Sequence, residues 1–218
     1  MAFQSLRRRI VGSSVDQQSD NTISLTSVLD LVDPAIRAQG EQLFDQFVMS
    51  QVKSYEVIGP CVQSILAPRT PTPVDRTQIN DASNRLCELA TRFAETEERK
   101  LVKETAVMLS SNMTGQDLAT ILTTMIGRTN HLEEGIVVLF YFCFDIILHR
   151  MTAKWGNALE VVNLCRSSLV QILGPRVQAS GGWGKVFTSG TRGGAMLGLF
   201  ATGMFVLSRI GPGILLIL

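Results

Sequence analysis

The chain has 218 residues, 20 Lys and Arg against 19 Asp and Glu, and a formal net charge of +1. That leaves room for one domain of ordinary size. The balanced charge argues against nucleic-acid binding, because no long basic run exists and Arg7-Arg8-Arg9 is short and set in a polar leader.

Residues 1–33 are rich in Ser, Gln, Asp and Asn and read as a flexible leader. The three arginines precede only Ile10-Val11, so no secretory signal is expected there. Asp33-Pro34 is a cap followed by a first-turn proline. Ile36, Leu43, Phe44, Phe47, Val48 and Val52 then recur at helical spacing, which predicts one buried stripe. Gly59-Pro60 breaks this helix, and residues 67–75, with three prolines, read as an exposed extended loop. A second helix is predicted from about Asp81 or Ser83, with Leu86, Leu89, Ala90 and Phe93 as its apolar face. The charged run Glu95–Lys100 reads as a solvated turn or face, and Leu101, Val102, Val107, Met108 and Leu109 predict another short helix. Thr114-Gly115-Gln116-Asp117 resembles a capping box with Asp in the last position. Leu118, Ile121, Leu122, Met125 and Ile126 follow on one helical face, and Gly127 is expected to close the helix as the residue after its cap.

The most hydrophobic internal stretch is Gly135–Leu148, 14 residues that are apolar on all sides except at Asp145. This run is too short to span a membrane and predicts a central helix surrounded by others. Trp155 to Leu173 predicts a longer amphipathic helix. Leu159, Val162, Leu164, Leu169, Ile172 and Leu173 are its apolar residues, and Lys154, Glu160, Arg166 and Gln171 its polar ones. Gly174-Pro175 is expected to interrupt it, and Gly181-Gly182-Trp183-Gly184 to open a last short element. No region alternates with period two. The fold class is therefore all-α: a helical bundle over residues 34–192 around a central hydrophobic helix.

Residues 193–218 carry one charge, Arg209. Gly193–Ser208 supplies 16 residues, about 24 Å of helix, slightly less than a bilayer core requires. Arg209 could reach a headgroup, with Ile210–Leu218 past the interface or extending a tilted span. Leu197, Leu199, Phe200, Phe205, Val206 and Leu207 would supply the apolar surface. The segment reads as a C-terminal tail-anchor transmembrane helix inserted after synthesis, with the rest of the chain facing the cytosol. The alternative is a terminal helix docked in a groove of its own protein.

Nothing in the chain nominates a reaction, and the expectation is a non-enzyme without cofactor or metal. His131 falls in a loop, and His149 ends the central helix, where it complements the dipole. No G-x-G-x-x-G, Walker-type, HExxH or GxSxG pattern is present. Glu133 and Glu134 are adjacent and do not face each other, so they read as favourable charges at a helix start. Cys143 and Asp145 have no base at suitable spacing. Cys61, Cys87, Cys143 and Cys165 form no CxxC pair or metal spacing and read as reduced cytosolic thiols, the last two as small hydrophobes in apolar helices.

Three segments carry a family likeness. Gly181-Gly182-Trp183 follows an amphipathic helix and Gln178, giving Q-x-x-G-G-W. Gly135-Ile-Val-Val-Leu-Phe-Tyr-Phe opens the central helix. Arg85-Leu-Cys-Glu-Leu-Ala-Thr-Arg-Phe-Ala-Glu95 has the form of an amphipathic interaction helix. In order and spacing, together with the tail, these resemble the second, first and third homology motifs of the Bcl-2 family of apoptosis regulators, most closely its Bax/Bak-like members. The resemblance covers roughly residues 36–218. Two departures stand out. The arginine of the family's N-W-G-R is missing beside Gly135. The third motif has two registers, one using Leu86, Ala90, Phe93, Ala94 and Glu95 with Glu in place of Asp, the other using Ala82, Leu86, Leu89, Ala90 and Thr91 with Phe93 as the last anchor and no acid. The buried Arg–Asp pair that fixes such a helix in the family's groove is thus altered on both sides.

The resemblance implies a death helix carrying Leu86, Leu89, Ala90, Phe93, Ala94 and Glu95. It implies a groove lined by Gly135, Val138, Phe140, Gly181, Gly182 and Trp183. Gly135 would lie where a partner backbone passes closely, and Trp183 would cover the end of the preceding helix. The implied partners are Bcl-2 family proteins, death-helix peptides, further copies of the chain in dimers and higher oligomers, and membrane lipid. The implied location is the mitochondrial outer membrane, facing the cytosol, with cytosol or endoplasmic reticulum also open. Three functions remain: an effector that permeabilises the outer membrane, an anti-apoptotic sink for death helices, and a tail-anchored adaptor with no role in cell death.

Overall fold

The computed structural model describes residues 32–53, 55, 59–66, 76–111, 113–153 and 158–189. The chain divides into Met1–Leu31 and Val32–Leu218, and every described residue belongs to the second unit. The leader up to residue 31, the loop at 67–75 and the tail at 193–218 lie outside the described residues, so the anchor residues Leu197, Leu199, Phe200, Phe205, Val206 and Leu207 do too. The described residues are all-helical, without a strand. In chain order the helices are α1 (Pro34–Val52), α2 (Gly59–Ile65), α3 (Arg76–Ala94), α4 (Glu97–Ser110), α5 (Gly115–Ile126), α6 (Leu132–Ala153), α7 (Ala158–Ala179) and α8 (Trp183–Ser189).

Helix α1 starts where its cap predicts. The Asp33 carboxylate accepts from the Ala35 amide at 2.7 Å, and Pro34 occupies the first turn. Leu43, Phe44, Phe47, Val48 and Val52 are buried, with Ile36 partly so. Val32 and Asp33, placed in the leader by composition, belong to the bundle instead. Val32 is buried, a Cβ built on Gly174 would lie 2.9 Å from it, and the Asp33 amide donates to Gln178 Oε1 at 3.0 Å. Gly59-Pro60 opens α2 rather than only breaking α1, because a proline in the first turn loses no helical hydrogen bond.

Helix α3 begins at Arg76, earlier than Asp81 or Ser83, and buries Ile79, Ala82, Leu86, Leu89, Ala90 and Phe93. A turn at Glu95-Thr96 leads into α4, whose Thr96 hydroxyl accepts from the Arg99 amide. The buried face of α4 is Val102, Ala106 and Ser110, an i, i+4, i+8 stripe. Leu101 and Met108, two of the apolar residues that predict this helix, are about half exposed at 46% and 54%. The reason is that α4 is turned so that Arg99 faces α6.

Helix α5 carries the expected capping box in full. The Thr114 hydroxyl accepts from the Asp117 amide, and the Asp117 carboxylate accepts from the Thr114 amide at 2.9 Å. All five predicted apolar residues of α5 are buried. Gly127 is its C-cap with right-handed φ −65°, not a left-handed residue beyond the cap.

Helix α6 is the centre, packed by α4, α7, α3 and α5 and buried on every side from Gly135 to Ile147. It is longer than the apolar run that announces it. Its 22 residues make it long and apolar enough to cross a membrane, because Glu133, Glu134 and Arg150 sit at its ends. Here that surface is the core of the bundle, and 72% of the apolar window is buried. Helix α7 continues through Gly174-Pro175 to Ala179, so the predicted interruption does not occur. Leu159 is exposed, whereas the polar Arg166 is buried.

Candidate functional site

The last turns of α3, the first half of α6 and the α7–α8 turn hold the residues that the sequence singles out. Leu86, Leu89, Ala90 and Phe93 form the inner face of α3, all at or below 5% exposed. Their helix packs on α1, α6 and α8. Ala94 and Glu95 are exposed at the turn, so no backbone presses on Ala94 in this state. The outer face of α3 is polar, with Glu88 paired to Arg85 and Arg92. Arg85 and its hydrogen bond hold the Glu88 carboxyl below its usual range. Cys87 on that face is an exposed free thiol, and Cys143 and Cys165 are buried and free.

Of the six groove candidates, Gly135, Val138, Phe140 and Trp183 are buried, Gly182 is half-buried and Gly181 exposed. Phe140 sits between α1 rings, with centroids 5.2 Å from Phe44 and 5.5 Å from Phe47. A Cβ on Gly135 would lie 2.4 Å from Ile126 Cδ1 and 2.7 Å from Thr129 Oγ1. The close neighbours of that position within the chain are the end of α5 and its turn.

Gly181 and Gly182 have φ +86° and +102°. The Gly182 amide donates to Val177 O at 2.9 Å and the Gly181 amide to Gln178 O at 3.0 Å, the paired bonds of a Schellman stop. This turn sends the chain back and sets Trp183 at the start of α8. Trp183 packs on α1. Its indole Nε1 donates to Ile36 O of α1 at 2.8 Å, and its ring lies against Gly40, where a Cβ would meet Cζ2 at 2.6 Å. Gly40 was not visible as a site residue in the sequence, since a glycine within a helical pattern carries no indication of what approaches it.

Two ion pairs were also missed. Asp145, buried in α6, accepts from Arg99 of α4 through both carboxylate oxygens, at 2.6 and 2.8 Å. Arg166 of α7 donates to Asp45 of α1 at 2.7 and 2.9 Å and to Asn163 Oδ1 at 2.9 Å. A single acid inside an apolar run, and a single arginine in the middle of an amphipathic helix, were the available signals. Burial pushes the Asp145 carboxyl up, against the opposing pull of Arg99. Burial also raises Glu134, opposed by His131. Among the described residues no group of three His, Cys, Asp or Glu side chains is placed to hold a metal ion.

No protein-family model, curated protein sequence or solved structure matches this chain.

Proposed function

We propose that this chain is a Bax/Bak-like regulator of apoptosis, an effector that oligomerises and permeabilises the mitochondrial outer membrane. The observation that carries the reading is the state of α3 and α6. Leu86, Leu89, Ala90 and Phe93 form one continuous apolar face folded inward on a helix with a charged outer face. Beneath it lies a 22-residue helix buried on all sides from Gly135 to Ile147. An amphipathic helix with apolar residues at i, i+3, i+4 and i+7 suits docking in a groove once it leaves its own bundle. The apolar α6, with the amphipathic α7 packed on it, is then a store of membrane-compatible surface. Residues 193–218 would attach the protein to the membrane, with the bundle in the cytosol. The partners would be Bcl-2 family proteins, death-helix peptides and further copies of the chain.

The test is dye release from liposomes of outer-mitochondrial-membrane composition, using the full-length protein with and without a death-helix peptide. Peptide-triggered release is the expected result. Absence of release, together with suppression of release by an authentic effector, would replace this reading with an anti-apoptotic sink. Neither effect, with cells indifferent to exchange of the tail, would leave the adaptor.

A further inference from the structure

Among the described residues, Tyr141 of α6 gathers side chains of α1, α3 and α4 beside a charged contact between α4 and α6. The Arg99 guanidinium closes a two-pronged bond on Asp145, with side chains 14% and 2% exposed. Its Cζ also lies 4.3 Å from the centroid of the Tyr141 ring, one turn earlier on α6. That ring is 5.5 Å from Phe93 of α3 and 5.0 Å from Phe47 of α1, and the Tyr141 hydroxyl donates to Ala90 O at 3.1 Å. The cluster thus lies directly under the last turn of α3.

We propose that the Arg99–Asp145 pair is the clamp that holds the end of α3 and the α3–α4 turn on the central helix, so that its opening frees the Leu86–Phe93 face while α7 stays folded. As a device for regulating that face, the clamp rests on the functional reading above. Its physical basis does not. Asp145 depends chiefly on Arg99, with a weaker attraction from Lys103, and Arg99 rests on Asp145 and on the Tyr141 ring. Asp145 lies within an apolar helix, and Arg99 is a cation in the first turn of α4, against the positive end of that helix's dipole. The inner face of α3 otherwise rests on apolar packing and on the Tyr141 hydroxyl bonded to Ala90 O. The tie between α3 and α4 is short. Only Glu95 and Thr96 separate the helices, and both amides bond back to α3, at Arg92 O and Phe93 O. The end of α3 therefore cannot swing away without displacing Arg99 or unwinding the first turn of α4.

Hydrogen exchange on the full-length protein tests this, with amides of residues 163–173 in α7 as the internal reference. Arg99→Gln leaves Asp145 unpaired and is expected to speed exchange over residues 86–100 by about tenfold or more, with the reference unchanged. Arg99→Met with Asp145→Leu removes both charges and is expected to keep the same amides within about threefold of the parent. If Arg99→Gln does not fold, Arg99→Lys, which keeps the charge and loses the fork, should give an intermediate acceleration. Equal acceleration of α3 and α7, no acceleration in either single variant, or the same acceleration in the double variant would overturn the proposal. The liposome assay is separate. Failure of dye release in every variant would count against the effector reading and leave the exchange result standing.

Discussion

A single indole decides how the two ends of the described bundle meet. Trp183 is 2% exposed, bonded to Ile36 O and seated on Gly40, so α8 is pinned to α1 by a contact that tolerates no side chain at position 40. Gly40→Ala would gain helix propensity but force a methyl into a rigid buried ring. Overpacking of this kind costs about 1–3 kcal/mol, more than the propensity returns. The expected outcome is a lower urea midpoint. In a Trp155→Phe background, where Trp183 is the remaining tryptophan, the emission should also shift to the red. An unchanged midpoint and spectrum would mean that the indole leaves its seat without cost.

At the scale of the element, stops and starts are set locally and continuations are set by packing. The Gly181-Gly182 turn is a stop that the backbone alone requires. A Cβ on Gly182 would meet nothing within 4 Å, so its φ of +102° is the whole reason for glycine there. Gly182→Ala should therefore lose about 1–2 kcal/mol through backbone strain without any packing change. The measurement is thermal unfolding beside a D-alanine replacement made by semisynthesis, which should recover the loss. Pro175 shows the opposite case. Proline removes a helical donor, yet α7 runs four residues past it to Ala179. Burial of Leu173 and Val177 on either side of Pro175 holds the helix together across it. Local chemistry predicted a break there, and tertiary burial overrode it.

For the whole molecule, buried carboxyls tie stability to pH. Glu134 is raised, first by burial, so the folded state binds its proton more tightly than the unfolded chain does. Its contribution is complete at pH values below the ordinary carboxylate range and is lost as pH rises through the raised folded value. Asp145 acts in the same sense. Asp117 acts in the opposite one, because its hydrogen bonds with Thr114 lower it, so its contribution is lost as pH falls through the folded value. Glu134→Gln isolates one of these. The variant should match the parent at low pH and become relatively more stable as pH rises through the Glu134 titration, seen as a widening gap in urea midpoints. A constant gap would show that Glu134 does not titrate with a raised value.

Much of this architecture was legible in advance, and the division has a physical cause. Periodicity and cap chemistry are properties of neighbouring residues. The sequence by itself therefore determined the all-helical class, the buried stripes of α1, α3 and α5, the Asp33-Pro34 and Thr114–Asp117 starts, and a central helix apolar on all sides. Contacts between residues far apart in the chain are not encoded in spacing. Only the tertiary structure decided that Arg99, read as part of a solvated charge run, is paired with Asp145, and that Arg166 is buried on Asp45. It likewise decided that Trp183 belongs to α1 and that Gly40 lies under its ring. A buried charge or a missing Cβ is stable only in relation to what the fold brings against it, and that partner lies dozens of residues away.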